Sequence, residues 1–399
     1  MTPVYLDNNA TTRVDPEVVA AMLPFFTEQY GNASSMHAFG ASVGDDLKLA
    51  RRRVQELLGA EFDHEIVFTS GGTESDTTAL LSALEARGER DEIVTTAVEH
   101  PAILAVCKHL SDTRGVKVHL VPVDTSGRLE VDAYRRALGS RTAIASVMWA
   151  NNETGTLFPV EPLAEWAHEA GALFHTDAVQ AVGKVPIDLK NTKVDMLSLS
   201  GHKLHAPKGV GALYVRRGIR LCPLLRGGHQ ERGRRAGTEN TAGIVGLGKA
   251  AQLAADRLEE MGTRVRALRD RLEKTLLGRI EGTFSAGDRE HRLPNTANIT
   301  FEFLESEALL VRLSRVGIAA SSGSACTSGS MEPSHVLRAM KVPYTAAQGA
   351  IRFSLSRDND ASDVDRVLEA MPGIVQELRE TSPSRSRQEV IAQSLATSV

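Results

Sequence analysis

Seven segments of the 399-residue chain carry side chains able to do chemistry. Cys326 lies in Ser321-Ser322-Gly323-Ser324-Ala325-Cys326-Thr327-Ser328-Gly329-Ser330, where every neighbour is small and most are hydroxylic or glycine. No large apolar side chain flanks it. The segment reads as a solvated loop, and the thiol as a nucleophile rather than a packing element. Lys203 ends Leu197-Ser198-Leu199-Ser200-Gly201-His202-Lys203, just beyond a candidate strand. Most lysines are solvated surface groups. This one has Ser, Gly, His and apolar neighbours, a setting in which an amine is neutral part of the time and can form a Schiff base. Asp177 ends the apolar run Phe174-His175-Thr176-Asp177. Alone it reads more simply as a strand-end Asp capping the next helix. An Asp and a Lys on two strand ends, however, suit a pyridoxal phosphate site, with Lys on the aldehyde and Asp on the ring nitrogen.

The remaining segments are compatible with that chemistry without requiring it. Ser70-Gly71-Gly72-Thr73-Glu74-Ser75 follows a strand and opens a helix. Such a turn offers free N–H groups to an anion, although a tight turn with a Thr or Ser cap is the simpler reading of this segment taken alone. His100, before Pro101, is placed either to stack on a flat cofactor or to sit half-buried in a strand-to-helix loop. Arg226 to Asn240 is glycine-rich and locally basic, and reads as a solvated loop or as one reaching a phosphate or a second subunit. Arg352 interrupts the apolar alternation of Ala350-Ile351-Arg352-Phe353-Ser354. A charge there needs a carboxylate, either an internal Asp or Glu or that of a substrate.

The elements that must position these residues follow from periodicity. Candidate strands at 65–70, 92–98, 117–124, 143–150, 172–179, 195–200 and 210–216 alternate with helical stretches at 42–60, 72–88, 101–114, 130–138 and 160–170. This predicts an α/β domain with a mainly parallel sheet covered on both faces. Leucines and other apolar residues from 250 to 278 predict one long amphipathic helix that bridges into a smaller α+β domain. The expected division is 16–250 for the large domain and 1–15 with 265–380 for the small one, with 251–264 in the bridging helix and 382–399 as a loose tail. Net charge is -4, which gives no support to nucleic-acid binding. No apolar run is long enough to span a bilayer, and the N-terminus lacks the features of a signal peptide. Three distant cysteines form neither a disulfide framework nor a metal site, which fits a cytoplasmic protein with no intrinsic metal. Cys107 and Cys222 read as core residues.

Six motifs in order carry a near-full-length resemblance to the fold-type I pyridoxal phosphate enzymes, and among them to the cysteine desulfurases. They are Thr69-Ser70-Gly71-Gly72-Thr73-Glu74, Asn151-Asn152-Glu153-Thr154-Gly155, His175-Thr176-Asp177-Ala178-Val179-Gln180, Gly201-His202-Lys203, Arg235-Ala236-Gly237-Thr238-Glu239-Asn240 and Ser324-Ala325-Cys326-Thr327. Asp7-Asn8-Asn9-Ala10 and the stretch Gly227 to Arg235 are most similar to the nitrogen-fixation (NifS-like) branch. Ala33 and Gln348 depart from it, standing where the family has Pro and His. The resemblance implies a seven-stranded large domain and the cofactor pyridoxal 5'-phosphate. Lys203 is then the cofactor-linked base, Asp177 the partner of the ring nitrogen and His100 the stacking acid–base group. Gly72, Thr73, Ser200 and His202 are phosphate contacts, with Thr238 reaching in from the other subunit of a homodimer. Asn152 and Gln180 hold the substrate and the ring's phenolic oxygen, and Arg352 clamps the substrate carboxylate. The implied reaction converts L-cysteine to L-alanine and leaves a persulfide on Cys326. The sulfur acceptor would be an iron–sulfur scaffold serving nitrogenase, and Cys326 could contact a cluster during transfer. An aminotransferase would not need the thiol. Selenocysteine as a second substrate stays open, and a non-catalytic assembly platform would not need Lys203, Asp177 and His100 intact.

Overall fold

A computed structural model of the chain describes residues 3–322 and 332–381. The strands are β1 (Val4–Tyr5), β2 (Ile66–Thr69), β3 (Glu92–Thr96), β4 (Lys117–Val121), β5 (Thr142–Ser146), β6 (Leu173–Asp177), β7 (Met196–Ser200), β8 (Gly211–Val215), β9 (Thr283–Ser285), β10 (Thr296–Phe301), β11 (Ile318–Ala319) and β12 (Ala350–Ser354). Strands β2 to β8 form one sheet in the order β2-β8-β7-β6-β5-β3-β4. Its neighbours run parallel except at β8, which is antiparallel to both β2 and β7. The seven expected strands are all present in a mainly parallel sheet.

The near-continuous apolar runs follow from this arrangement. β3, β5, β6 and β7, and the antiparallel β8 beside them, are buried at every position, as strands covered on both faces must be. β4, at the sheet edge, is mostly half-buried or exposed. It carries Lys117 and His119, both paired with Glu92 of β3, and charges on an edge strand discourage pairing with another chain. The helix Ala38–Leu58 packs against Thr241–Asp256. A Cβ on Gly248 would lie 2.5 Å from Ala50 Cα, so only glycine permits that approach.

The stretch expected as a single bridging helix is broken. Thr241–Asp256 ends at Arg257 (φ -113°, ψ 13°), and the chain resumes through a short turn and a π-helical turn at Met261–Val265 into Arg266–Arg279. Arg257 pairs with Asp15 and Glu17, and Arg264 donates to the carbonyls of Arg357 and Asn359. Tertiary partners on both sides pull the backbone out of register, which a stripe of leucines does not reveal. The stripe itself is used: Leu253, Met261, Val265, Leu272 and Leu276 are buried.

A second hydrophobic core is built from Leu272, Leu276, Ile299, Phe301, Ile351 and Phe353, closed by Val4 and Leu6 of the N-terminal arm. Its sheet is β12-β10-β9, and β1 lies parallel to β11. Side chains alternate across a strand. With Ile351 and Phe353 in this core, Arg352 faces the other way, toward the large sheet. Cys107 and Cys222 are buried as expected, and burial pushes the Cys107 thiol up to about 12.

Candidate active site

The carboxyl ends of β6 and β7 and the loops after β3 and β5 open on a cleft of about 390 Å³. Gly72, Thr73, His100, Asn152, Asp177, Gln180, Ser200, His202, Lys203 and Arg352 all line it. Of the expected site residues that the structure describes, only Thr238 is not among its walls.

One end suits a phosphate. The helix Gly72–Ala86 starts there, and the N–H groups of a first helical turn have no partner within the helix. A Cβ on Gly72 would lie 2.8 Å from Val179 Cγ2, so the helix start and the strand end need glycine to come this close. Ser200 ends β7, and His202 follows with Nδ1 3.2 Å from Thr11 Oγ1. Burial, with help from Lys203 and Lys208, lowers the His202 ring to about 4. It is therefore a neutral hydrogen-bonding group near pH 7.

The middle holds the reactive pair. Asp177 accepts the Val179 N–H at 2.9 Å. Burial raises its carboxyl, while His100 and Lys203 draw it back down. Asp76, on the phosphate helix, is fully buried, and its Oδ1 has no hydrogen-bond partner among the described residues. Burial and then the Asp177 charge push it well above the usual carboxylate range. Lys203 ends a 3-10 turn after β7, and its Nζ donates to the Asn9 and Ala10 carbonyls. His100 caps Pro101–Arg114 by accepting the Ala102 N–H at Nδ1, 3.1 Å away. The neutral ring must then carry its proton on Nε2. Burial lowers its pKa below the ordinary value.

The other end is cationic. Arg352 is 2% exposed. It donates to Asp7 Oδ1 at 2.8 Å and to the Asn152 carbonyl at 3.0 Å, and its Nε has no partner among the described residues. The internal carboxylate considered for it exists and is Asp7. Because Arg352 also lines the cleft, that pairing does not remove it from a ligand's reach.

Thr238 is exposed and lines a separate depression of about 180 Å³ with Arg235 and Glu239. Its loop is tied to the phosphate turn, because Arg235 pairs with Glu74 and Glu74 accepts the Ser70 N–H. Cys326 lies outside the described residues. On its N-terminal side Ser321 pairs with Arg352 through both main-chain groups. On its C-terminal side Ser334 donates to Glu153 Oε2, and His335 Nε2 lies 2.9 Å from the Glu99 carbonyl. Asp76, Glu99, Glu153, Lys184 and His335 went unassigned from sequence. For Lys184 a signal existed: it follows Ala181-Val182-Gly183, the same kind of uncharged setting that marked Lys203.

The donor set fits pyridoxal phosphate. Anion donors lie at one end, a carboxylate and an amine in the middle, and a guanidinium at the far end. Fold and site together define a fold-type I pyridoxal phosphate-dependent enzyme. Residues 4–367 match the Aminotransferase class-V family. A cysteine desulfurase of Gluconacetobacter diazotrophicus is 72% identical over 383 residues, 96% of each chain. Cysteine desulfurase NifS of Azotobacter vinelandii is 63% identical over 383 residues, 96% of this chain and 95% of that one. A solved NifS-like protein superposes with a TM-score of 0.87 at 39% identity, covering 94% of this chain and 99% of that chain. The chain belongs to the class-V aminotransferase family and, within it, to the cysteine desulfurases.

Proposed function

We propose that the chain binds pyridoxal 5'-phosphate in this cleft, converts L-cysteine to L-alanine and leaves the sulfur as a persulfide on Cys326. The observation that carries this reading is the convergence of Lys203, Asp177, His100 and Arg352 on one cleft. Bound there, the cofactor would supply an electron sink for negative charge at the substrate Cα. Lys203 would hold its aldehyde, Asp177 its ring nitrogen and His100 its face. Gly72, Thr73, Ser200 and His202 would hold the phosphate, with Thr238 of a second protomer. Gln180 and Asn152 would serve the phenolic oxygen and the substrate.

Arg352 orients the substrate through its carboxylate, using N–H groups that Asp7 and Asn152 do not occupy. The Lys203 amine takes the Cα proton. His100 exchanges a proton with the substrate through Nε2. The Cys326 thiolate attacks the substrate sulfur, so that an S–S bond forms as the Cβ–S bond breaks. The electron pair of the broken bond stays on carbon, which takes up a proton to become the methyl group of alanine. No external oxidant is needed.

Large exposed apolar residues cluster along Val19, Leu23, Phe26, Tyr30, Met36 and Phe39. A patch of this kind marks an interaction surface, and a second copy of the chain is the occupant we propose. The same reading assigns 16–250 to a large domain and 1–15 with 265–380 to a small one, in a cytoplasmic homodimer. No helix among the described residues is long and apolar enough to cross a membrane. The sulfur acceptor is proposed to be an iron–sulfur scaffold serving nitrogenase, in keeping with the name of the Azotobacter relative.

The test is Cys326→Ala in the loaded enzyme. The visible band of the cofactor should persist while alanine and sulfide production from cysteine is lost. Undiminished turnover in this variant would end the persulfide reading.

A further inference from the structure

Lys184 is a buried lysine that the reaction above does not use. It is 7% exposed, yet both of its partners are amide oxygens. Its Nζ lies 2.7 Å from Gln180 Oε1 and 3.3 Å from Asn9 Oδ1. The charged groups that bear on it most are cations, Lys203 and Arg352. A cavity of about 30 Å³ connects it to Lys203, His205, Arg257 and Arg357. That is space for about one water molecule. Burial, and then those two cations, hold the amine well below its ordinary pKa. An amine among amides and cations contributes little as an ion-pair partner, but charged or neutral it remains an N–H donor.

Its position fixes something specific. Gln180 lines the cleft. Its Nε2 donates to the Asn9 main-chain oxygen at 2.9 Å, an atom that can only accept. Its Oε1 receives the Lys184 amine. Reversing the amide would set the Gln180 NH2 against the Lys184 amine and an oxygen against an oxygen. Only one orientation satisfies both neighbours, and in it the second Nε2 hydrogen is what Gln180 can offer the cleft.

We propose that Lys184 is a positioning residue: by occupying the Gln180 carbonyl oxygen it makes Gln180 present an N–H, not an oxygen, to the phenolic oxygen of the bound ring. This rests on the pyridoxal phosphate reading of the cleft. A donor at that oxygen favours its anionic form, so the bound chromophore protonates at lower pH than it otherwise would. Asn9 is the shared support. Its main-chain oxygen accepts from both Gln180 and Lys203, and its side-chain oxygen accepts from Lys184 and Asn295.

The experiment is a pH titration of the visible cofactor band in the loaded wild type, Lys184→Met, Gln180→Leu and the double variant. Lys184→Met and Gln180→Leu should each raise the midpoint by about one pH unit, the scale of one hydrogen bond to a charged group. The double variant should match Gln180→Leu alone. A wild-type midpoint in Lys184→Met overturns the proposal. So does a double variant in which the shifts add in full, because Lys184 would then act through its charge and not through Gln180. If Lys184→Met does not fold, Gln180→Glu decides. It keeps a partner for Lys184 but offers the cleft an oxygen, so its midpoint must rise, and an unchanged one overturns the proposal. A wild type that shows no visible band after loading overturns the cofactor reading itself, and this inference with it.

Discussion

The two ends of the cleft are built by different means. The phosphate end is one rigid sheet: a helix start after β2, the end of β7 and a neutral His202 held by burial. The carboxylate end is stitched together from remote segments. Arg352 comes from β12, Asp7 from the N-terminal arm and Asn152 from the loop after β5. A strand end positions a group through its own backbone ladder. A stitched site positions it only while every segment is docked. Binding of cofactor and binding of substrate should therefore be separable by mutation, with Lys203 as the residue on which both depend.

Lys203→Ala should give the largest effect. Turnover is expected to fall by at least about 10³-fold, since covalent attachment and a positioned base are lost together. Borohydride treatment followed by mass spectrometry should find no cofactor on the variant chain.

Arg352→Ala tests the stitched end. Removing one partner of a buried charged pair costs about 2–5 kcal/mol, so kcat/KM for cysteine should fall by about 30-fold or more. Cofactor affinity should stay near wild type. An equal loss of cofactor affinity would break the comparison.

Thr73→Ala tests the sheet-built end in the opposite sense. One hydrogen bond to a charged group is at stake, and the cofactor should dissociate about tenfold more readily or faster still. At saturating cofactor, kcat should stay within about twofold of wild type.

The smallest effect is on stability against pH. Burial holds His175 at about 3 and His202 and His205 at about 4, against 6.5 for an ordinary histidine. Below pH 6.5 the unfolded chain takes up protons that the folded one refuses, so stability should fall from there toward pH 4. Glu99 works the other way. Burial raises its carboxyl to about 8, and as pH rises from 4.5 toward 8 the folded state keeps a proton that the unfolded state has lost. Melting temperature should therefore rise from pH 4 to about 6.5 and decline toward pH 8. A Glu99→Gln variant whose melting temperature follows the same course between pH 6.5 and 8 as the wild type would contradict the Glu99 assignment.

Much of the sheet-built end was legible in the sequence. Asp177, Ser200 and Lys203 sit at the ends of β-branched or apolar runs, and Gly72 opens a helix after another, so local pattern alone located them. The stitched end was legible only in part. The alternation around Arg352 announced that it needed a carboxylate, but nothing local distinguishes Asp7 from any other Asp. The antiparallel β8 and the sheet order are likewise long-range pairings, invisible to periodicity. The break at Arg257 was missed because its cause lies in Asp15, Glu17, Arg357 and Asn359. The sequence offers His100 either as a ring stacked on a flat cofactor or as one half-buried in a strand-to-helix loop, and its role in capping the following helix required the Ala102 N–H to be located.

The N-terminal arm has a consequence for how this enzyme is made. Asp7 reaches Arg352, 345 residues away in sequence, β1 pairs with β11, and the Asn9 and Ala10 carbonyls receive Lys203. Residues 4–10 can thus be placed only after segments far later in the chain have been made. They must wait, undocked, until β11 and β12 have been synthesised, and contacts of such long range form slowly. A half-made chain can shape the phosphate turn but has nothing to orient a substrate. Orientation of a substrate is withheld until β12, which carries Arg352, has been made.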